Sequence, residues 1–562
     1  MPALARVDMT KLEVSLQSMH KDDIFLGGRG LTSSILARET NPQCDPLGPE
    51  NMLVIAPGLL SGTTAPSSGR LSLGAKSPLT GGIKESNVGG TFGRAIARLG
   101  IKGLQIQGQP AAKSLYILEL RHKGVSLVSA DDLQGCSNYE TGRYLIERYG
   151  KGTPYLCIGP GGEGHLPLAT VAASDMEGRP TRHAGRGGMG GVLGAKGIKA
   201  MVVLDKGQTV TPAVKHSFQD TQKAFAKDLV QTKKALKNFG TAVLVNVINE
   251  AGALPVQNFR YGRSDQASRI SGHVLAENCE ARGGRTSHSC HPGCVIKCSR
   301  IYHDAQGRYV TSALEYETIV LLGINCGLTD LDHIAELDFL CDDLGLDTME
   351  TGVTLSVAME AGVLPFGDFQ GMKRLIRDMV DQRDMGKVLC LGAARAGKML
   401  GIGRVPVVKN QSMSAYDPRA LKGTGVTYAT SPMGADHTAG NCLPGRTGLD
   451  DTRAEGQVQA SKEAQALTML CDILGLCIFV GPVQSNVQFM TDLYNAFTGQ
   501  ELSGDDLLSI GQEILQTEVS YNRQAGIMPN ANDLPEFLRN EPLPSGLVFD
   551  VDQEEMYTIF SK

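Results

Sequence analysis

The sequence predicts an α+β fold in which an N-terminal, mainly β domain precedes two mostly helical domains. Residues 1–206 alternate short apolar runs with turns rich in glycine, proline and serine, a pattern typical of strands. After about residue 214, apolar residues recur at helical spacing, as in residues 218–236 and 460–474. A chain of 562 residues is also too long for one hydrophobic core, so several domains are expected.

Domain boundaries are predicted where the pattern of apolar and turn-forming residues changes. The β-rich pattern ends near residue 206, which defines a first domain of residues 1–206. A helical domain of residues 207–400 follows and contains a loop with three cysteines. The remaining residues, 401–562, begin with a segment rich in glycine, serine and threonine and then become mostly helical.

Composition excludes several classes of partner. The formal net charge of −5 gives no reason to expect nucleic acid or an anionic membrane surface. No apolar run approaches the ~18 residues of a membrane span, and residues 1–20 do not resemble a signal peptide. We therefore expect a cytoplasmic protein. In that compartment its thirteen cysteines indicate free thiols and metal ligation rather than disulfides.

The strongest chemical feature is a loop in which three cysteines are each separated by three residues. Cys290, Cys294 and Cys298 surround a bend formed by Pro292 and Gly293. Thiolates this close in sequence can hold one soft metal centre. A closed zinc or iron–sulfur site needs a fourth ligand from elsewhere. The alternative is three reduced cysteines without a metal.

A second feature is a short motif that occurs twice. Residues 342–347 and 472–477 share the pattern Asp-x-x-Gly-Leu followed by Asp347 or Cys477. In both copies a glycine, Gly345 or Gly475, stands where the C-terminus of a helix favours a left-handed residue. Asp347, with Glu350 three residues later, is also placed to cap the next helix. The simpler explanation is that two helices end alike.

Together these motifs resemble the aldehyde:ferredoxin oxidoreductase family of tungsten, sometimes molybdenum, bis-pterin enzymes. The resemblance extends over essentially the whole chain. It implies a β domain that seats two pterins, with two helical domains closing over the metal. The resemblance also rests on four other segments, which are, in chain order, residues 182–191, 314–318, 415–419 and 434–438.

The resemblance implies a [4Fe-4S] cluster held by Cys290, Cys294, Cys298 and Cys477. There is one departure, because better-known members have two residues between the first two cysteines and this chain has three. Cys279 is therefore kept as an alternative first ligand, and zinc is the rival metal for four cysteines.

The resemblance also implies a set of pterin-binding residues. Carboxylates accept hydrogen bonds from an amino-pyrimidine edge, and arginines and glycines suit phosphate. A magnesium ion would bridge the two pterin phosphates through the backbone oxygens of Asn87 and His183. The implied residues are Arg70, Asn87, Gly89, Arg182, His183 and Gly185 in the β domain, with Asp342, Gly345, Leu346, Asp347, Asp472, Gly475 and Leu476 in the paired motifs.

Three further residues are expected to take part in the chemistry. Glu315 is the expected general acid or base, with Glu317 as its competitor. On a strand the two would share a face, whereas on a helix they would point nearly opposite ways, so that one could face the cavity without the other. His437 would polarise the carbonyl oxygen or donate a proton, and Tyr416 would orient the substrate. The metal would be held by the pterins alone.

The implied reaction oxidises an aldehyde to a carboxylic acid and passes electrons singly through the cluster to ferredoxin. One alternative is the catalytic subunit of a related tungsten-pterin enzyme that reduces a carboxylate or an aromatic acyl thioester, with a small iron–sulfur subunit as partner. Another is a non-enzymatic electron-transfer or metal-binding scaffold. Family members form dimers, so a homodimer is expected. The sequence leaves the choice between tungsten and molybdenum open.

Overall fold

The computed structural model of the chain describes residues 3–111, 113–312, 314–528 and 533–560. The strands of these residues are β1 (Ala3–Asp8), β2 (Glu13–Ser18), β3 (Leu53–Pro57), β4 (Leu71–Lys76), β5 (Ile83–Val88), β6 (Ile101–Gln107), β7 (Tyr116–Arg121), β8 (Gly124–Ser129), β9 (Tyr155–Cys157), β10 (Val171–Ala173), β11 (Arg182–Ala184), β12 (Ile198–Val203), β13 (Arg285–His288), β14 (Ser299–His303), β15 (Tyr309–Ser312), β16 (Val407–Val408) and β17 (Gln411–Ser412).

The helices concentrate in the second and third parts of the chain. They are α1 (Gly28–Glu39), α2 (Phe92–Arg98), α3 (Asn138–Tyr149), α4 (Pro160–Glu163), α5 (Met189–Ala195), α6 (Lys215–Thr232), α7 (Lys234–Phe239), α8 (Leu244–Glu250), α9 (Gly272–Ala281), α10 (Tyr316–Thr318), α11 (Leu331–Leu344), α12 (Thr348–Glu360), α13 (Phe369–Asp381), α14 (Gly386–Leu389), α15 (Ala393–Leu400), α16 (Lys422–Thr430), α17 (Gln457–Leu474), α18 (Val487–Thr498), α19 (Gly504–Gln524), α20 (Phe537–Asn540) and α21 (Gln553–Tyr557).

Two six-stranded sheets form the N-terminal region. Their strand orders are β2-β1-β6-β3-β4-β5 and β11-β10-β9-β12-β7-β8. Most neighbouring strands are antiparallel, but β1 pairs parallel to β6 and β7 parallel to β12. Apolar residues of both sheets share one core, which includes Leu73, Phe92, Leu104 and Val192. The predicted α+β class is confirmed, and the predicted domain boundaries stay predictions.

Local sequence explains where the helices near the site begin and end. Asp330 caps α11, since its side chain accepts hydrogen bonds from the first backbone N–H groups. The same helix ends at Gly345, which adopts a left-handed φ of 77°. Asp347 then caps α12 by accepting from the Met349 N–H at 2.9 Å. The predicted helix end and helix start at the first motif are therefore confirmed.

The two copies of the motif dock on the β domain in the same way. At the second copy, the Gly475 carbonyl accepts from the Arg70 N–H at 3.1 Å. A Cβ built on Gly475 would lie 2.6 Å from the Cα of Gly58. At the first copy, the Gly345 carbonyl accepts from the Thr170 N–H at 2.9 Å, and Gly345 packs on Gly159. The repeated motif is therefore a repeated docking device between helices and sheet.

Among the described residues, no helix combines the length and the apolar character that crossing a bilayer requires.

We expect Gly475→Ala to destabilise the protein more than Gly362→Ala. Both glycines have φ near 70° (72° and 75°), so alanine costs about 1–2 kcal/mol at either position. Only at Gly475 would the new Cβ collide with backbone, which adds about 1–3 kcal/mol; at Gly362 it meets nothing within 4 Å. Denaturant unfolding of both variants measures the difference. Equal losses of unfolding free energy would show that the contact with Gly58 does not constrain the interface.

Candidate active site and metal centre

Most of the predicted site residues converge on one cavity of about 560 Å³ between the β domain and the helices. This volume is typical of a site for a small molecule or cofactor. All three predicted catalytic residues and all four predicted cluster cysteines line it. The pterin-binding candidates on its wall are Arg70, Asn87, Gly89, Arg182, His183, Gly185, Asp342, Leu346 and Asp347.

The three-cysteine loop connects β13 and β14 of a small antiparallel sheet. The ladder pair between His288 and Ser299 closes the loop at its base. Within it, Gly293 has a φ of 87° and Lys297 a φ of 56°. Left-handed backbone at Gly293 lets the chain turn back on itself, so the loop accommodates its three-residue cysteine spacing.

Ser67 joins this loop to Cys477. Its N–H donates to the Gly293 carbonyl at 3.0 Å, and its own carbonyl accepts from the Cys477 N–H at 2.9 Å. Cys477 directly follows the docked turn at the end of α17. A single residue of the β domain thus holds both sources of cysteine at the same wall of the cavity.

The four cysteines are free thiols that lie close enough to affect one another electrostatically. Burial raises the pKa of Cys298 first, and negative charge on Cys290 and Cys477 raises it further. Cys290, Cys294 and the buried His291 form the tightest group, with all ligand atoms within 4.8 Å of one another. His291 is an additional candidate ligand that the sequence analysis missed, although it lies within the motif.

The alternative first ligand, Cys279, and a further buried cysteine, Cys326, are not on the described cavity wall. Cys279 is buried in α9, within the helical core, and is absent from the described cavity wall. Cys326 donates to the carbonyls of Leu321 and Gly352, also within that core. The geometry therefore favours Cys290 over Cys279 as first ligand of a metal centre.

The first motif turns two carboxyl groups towards the cavity. Asp342 lies 3.1 Å from His183 Nε2, and burial lowers the pKa of His183 to about 4, so the imidazole is neutral near pH 7. Burial likewise raises the pKa of Asp342. Asp347 lies 3.3 Å from the Arg186 guanidinium, which also donates to the Ala435 carbonyl. Arg186 thus connects the motif to the loop that carries His437.

The second motif is placed differently. Asp472 lies 3.5 Å from Arg29, whose guanidinium is fully buried and also pairs with Glu518 at 2.6 Å. Neither Asp472 nor Gly475 and Leu476 is on the described cavity wall, and the same is true of Gly345. The contribution of these four residues to pterin binding stays a prediction.

Two β-domain arginines project into the cavity beside the cysteines. Arg70 donates to the side chain and the carbonyl of Asn87. Arg182 is only 6% exposed and donates to Ser299 at 2.8 Å, but its buried Nε has no partner among the described residues. A buried unpaired donor is costly and marks a position where a bound anion is expected.

Glu317 and His437 form the charged centre of the cavity. Glu317 accepts from the Ala415 N–H at 2.7 Å, and its second oxygen is buried without a partner among the described residues. Burial raises the pKa of Glu317. Burial alone would lower the pKa of His437, but the nearby carboxylates of Glu317 and Asp436 raise it. The pair is suited to exchanging a proton with a bound molecule.

Tyr416 and Glu315 flank this pair on different sides. The Tyr416 ring packs 5.3 Å from Tyr316, and burial together with the Glu317 charge raises its pKa, so the phenol stays protonated. Glu315 immediately precedes α10 and accepts a hydrogen bond from Thr241, and its charge raises the pKa of Cys298. Both glutamates line the cavity, and the case in which a shared helix would let only one of them face it does not arise. The helix begins at Tyr316, which leaves Glu315 on extended backbone.

A buried ion pair supports His437 from behind. Lys84 and Asp436 are both about 1% exposed and form a salt bridge across the cavity wall. Asp436 also accepts from the Thr438 N–H at 2.9 Å and lies 3.4 Å from His437 Nδ1. Lys84 was not among the residues predicted from the sequence. It is followed in β5 by the polar residues Glu85, Ser86 and Asn87, so the local sequence does not indicate a buried ion pair.

Comparison with known proteins explains this combination of cysteines and carboxylates. Residues 4–205 match the family model of the aldehyde ferredoxin oxidoreductase N-terminal domain, and residues 218–559 match the model of its domains 2 and 3. The chain belongs to the aldehyde ferredoxin oxidoreductase family. The resemblance identified from the motifs is therefore confirmed, and the chain is a member of a family of oxidoreductases.

Several relatives of this family are similar over most of their length. A tungsten-containing aldehyde ferredoxin oxidoreductase of Pyrococcus furiosus is 34% identical over 93% of this chain and 88% of the relative. The protein of the same description from Thermococcus kodakarensis is 34% identical over 96% and 92%. The WOR-like subunit of an aliphatic sulfonate oxidoreductase of P. furiosus is 28% identical over 79% and 76%.

A solved structure shows the same fold. The chain superimposes on the active-site complex BamBC of benzoyl coenzyme A reductase in complex with 1,5-dienoyl-CoA, with a TM-score of 0.80. The alignment covers 100% of this chain and 93% of that chain at 18% identity. At this identity the likeness supports the architecture, which agrees with the β domain followed by helical domains.

Proposed function

We propose that this chain oxidises aldehydes to carboxylic acids at a tungsten-pterin centre and passes the electrons through a [4Fe-4S] cluster to ferredoxin. The observation that carries the proposal is the wall of the central cavity. It brings four free cysteines, two arginines and the Glu317–His437 pair together in a member of this family. The relatives named as tungsten-containing aldehyde ferredoxin oxidoreductases support tungsten as the metal and an aldehyde as the substrate.

The cysteines fit an iron–sulfur cluster. Four buried or half-buried thiols on one wall, none of them in a disulfide, are the donor set that such a cluster requires. We assign Cys290, Cys294, Cys298 and Cys477 as its ligands, with His291 beside them. Gly293 of the same loop is exposed, so a one-electron carrier such as ferredoxin can approach this wall from outside.

The remaining wall fits the pterin part of the cofactor. Asp342 and Asp347 offer carboxyl oxygens to an amino-pyrimidine edge. Arg70 and the unpaired Nε of Arg182 offer donors to phosphate oxygens. We further propose that the backbone oxygens of Asn87 and His183 would hold a magnesium ion, which would neutralise phosphate charge. Tungsten has the support of the relatives' names, whereas molybdenum has none here.

The overall reaction converts an aldehyde and water into a carboxylic acid, two protons and two electrons, and two ferredoxins accept the electrons singly. The bound tungsten-pterin group supplies the two-electron redox chemistry. Around it, Glu317 takes up a proton, because desolvation makes its carboxylate more basic than usual. Protonated His437 donates towards the carbonyl oxygen, and Tyr416 holds the substrate by its phenol O–H.

This assignment places Glu317 ahead of Glu315 as the proton-transfer residue. Glu317 neighbours His437 and keeps one buried oxygen free for a substrate or water. Glu315 accepts a hydrogen bond from the Thr241 hydroxyl, and its negative charge acts to raise the pKa values of Cys298 and Arg300. We propose that Glu315 adjusts the charge around the cluster, while its role as general base, expected from the sequence, stays untested.

The two glutamates provide a matched test of the proposed function. We expect Glu317→Gln to lower kcat for aldehyde oxidation with ferredoxin by about 10²–10⁴-fold, the usual contribution of general acid–base catalysis. Glu315→Gln is expected to lose far less. Anaerobic steady-state assays of both variants, each with its tungsten content measured, decide the order. A larger loss in Glu315→Gln would reverse the assignment, and a wild-type protein loaded with tungsten but inactive on aldehydes would contradict the function.

The pH dependence tests the role of the Asp436 charge. Carboxylates raise the pKa of His437, so activity that needs protonated His437 is present at low pH and is lost as the pH rises through that pKa. Asp436→Asn removes one of these charges and lowers the pKa. We therefore expect the alkaline limb of the kcat profile to move to lower pH. An unchanged limb in an active, tungsten-loaded variant would contradict the role of Asp436.

A further inference from the structure

The outer part of the cavity differs from its charged centre. Its wall there is largely apolar and includes Leu244 and Val247 of α8, Leu443, and Phe479. Val247 is 44% exposed, and Leu443 and Phe479 are half-buried, so this part of the wall opens to solvent. It therefore forms the mouth of the cavity, suited to an alkyl or aryl stem rather than to a polar chain.

The guanidinium of Arg446 lies at this apolar mouth without a hydrogen-bond or salt-bridge partner among the described residues. Arg446 lines the cavity, is exposed, and has no side-chain hydrogen bond or salt bridge anywhere in the described part of the chain. Its backbone N–H donates to the Leu443 carbonyl, which fixes the turn that presents the side chain. The guanidinium interacts electrostatically with Tyr416, so it lies near the catalytic centre.

A second cation lies next to the first. The ammonium of Lys233, at the end of α6, would lie 3.0 Å from a Cβ built on Gly481. Gly481 directly precedes the wall residue Pro482 and lies two residues after the wall residue Phe479. Lys233 is half-buried and, within the described residues, has no carboxylate within 4.0 Å. Burial lowers its pKa, and the charge of Arg446 lowers it further.

The two cations repel each other. Asp228 attracts Lys233 but is not close enough to form a salt bridge with it, so a bound anion would relieve the remaining repulsion. The chemistry proposed for the cavity assigns no role to either of these cations. The planar fork of arginine matches a carboxylate, and a lysine beside it adds a point charge.

We propose that Arg446 and Lys233 bind the distal carboxylate of the substrate, so that this enzyme prefers aldehydes that carry a carboxylate at the far end of an apolar stem. The inference rests on the proposed aldehyde oxidation and specifies its substrate class. The aldehyde group would point inwards to Glu317 and His437, with the stem along Leu244 and Phe479.

The test compares two aldehydes of equal chain length, succinic semialdehyde and butanal, with the tungsten-loaded wild type and Arg446→Gln. We expect the wild type to favour succinic semialdehyde in kcat/KM. Arg446→Gln should raise KM for that substrate by about 10–100-fold, the usual effect of losing a charged contact, and leave butanal within about twofold. Because Arg446 is exposed and unpaired, the variant is expected to fold normally.

Two variants serve as controls. Arg453→Gln removes an exposed arginine of the same segment that does not line the cavity, and should leave both substrates unchanged. Arg446→Lys keeps the charge and should restore part of the preference. Calorimetric titration of the holoenzyme with succinate gives a readout that needs no turnover, and its affinity should fall in Arg446→Gln.

The outcomes distinguish a failure of the carboxylate site from a failure of the proposed aldehyde oxidation. If the wild type oxidises butanal as well as succinic semialdehyde and does not bind succinate, the inference is overturned while the proposed function stands. If Arg453→Gln lowers the preference as much as Arg446→Gln, a general surface-charge effect replaces the site. If neither aldehyde is oxidised but succinate binds and depends on Arg446, the proposed function fails and the carboxylate site remains.

Discussion

The site depends on two glycine contacts at which helix ends meet the β domain. Gly475 against Gly58, and Gly345 against Gly159, allow backbone to approach backbone without intervening side chains. Each docked turn also exchanges hydrogen bonds with the sheet region. Because the residues that follow are Cys477 in one copy and Asp347 in the other, the same packing device places a metal-ligand candidate and a cofactor-binding candidate on the cavity.

Burial of charge is the second constraint, and it decides what each group can do. Lys84 with Asp436, and Arg29 with Glu518, are pairs in which each buried charge has its counterpart. Arg182 Nε and Glu317 Oε1, by contrast, are buried without a hydrogen-bond partner among the described residues, and both residues line the cavity. The two ion pairs are thus neutralised internally, whereas these two atoms lie where cofactor and substrate are proposed to bind.

The fold class could be predicted from the sequence, and most of the predicted site residues lie on the cavity wall, because the motifs are local. Cysteine spacing, helix-ending glycines and the Asp347 cap are readable from a few adjacent residues, and the structure bears out their geometry. The relation of Glu315 to Glu317 could not be read, since it depends on where α10 begins. Lys84, Lys233 and Arg446 escaped notice because their importance arises from contacts between segments distant in sequence.

The surroundings of Asp472 could not be predicted from its position in the repeated motif. It occupies the position equivalent to Asp342, yet its carboxylate is held by Arg29, a residue of α1 more than four hundred positions away in the chain. Identical motifs therefore acquire different surroundings once they dock on different parts of the sheet.

The assignment of the cluster ligands and of tungsten is best tested by measuring iron and tungsten in anaerobically purified protein. The measurement compares the wild type, Cys477→Ser and the buried control Cys279→Ser. We expect about four iron per chain and one tungsten in the wild type and in Cys279→Ser, with iron lost from Cys477→Ser. Full iron in Cys477→Ser, or zinc with neither iron nor tungsten in the wild type, would contradict it.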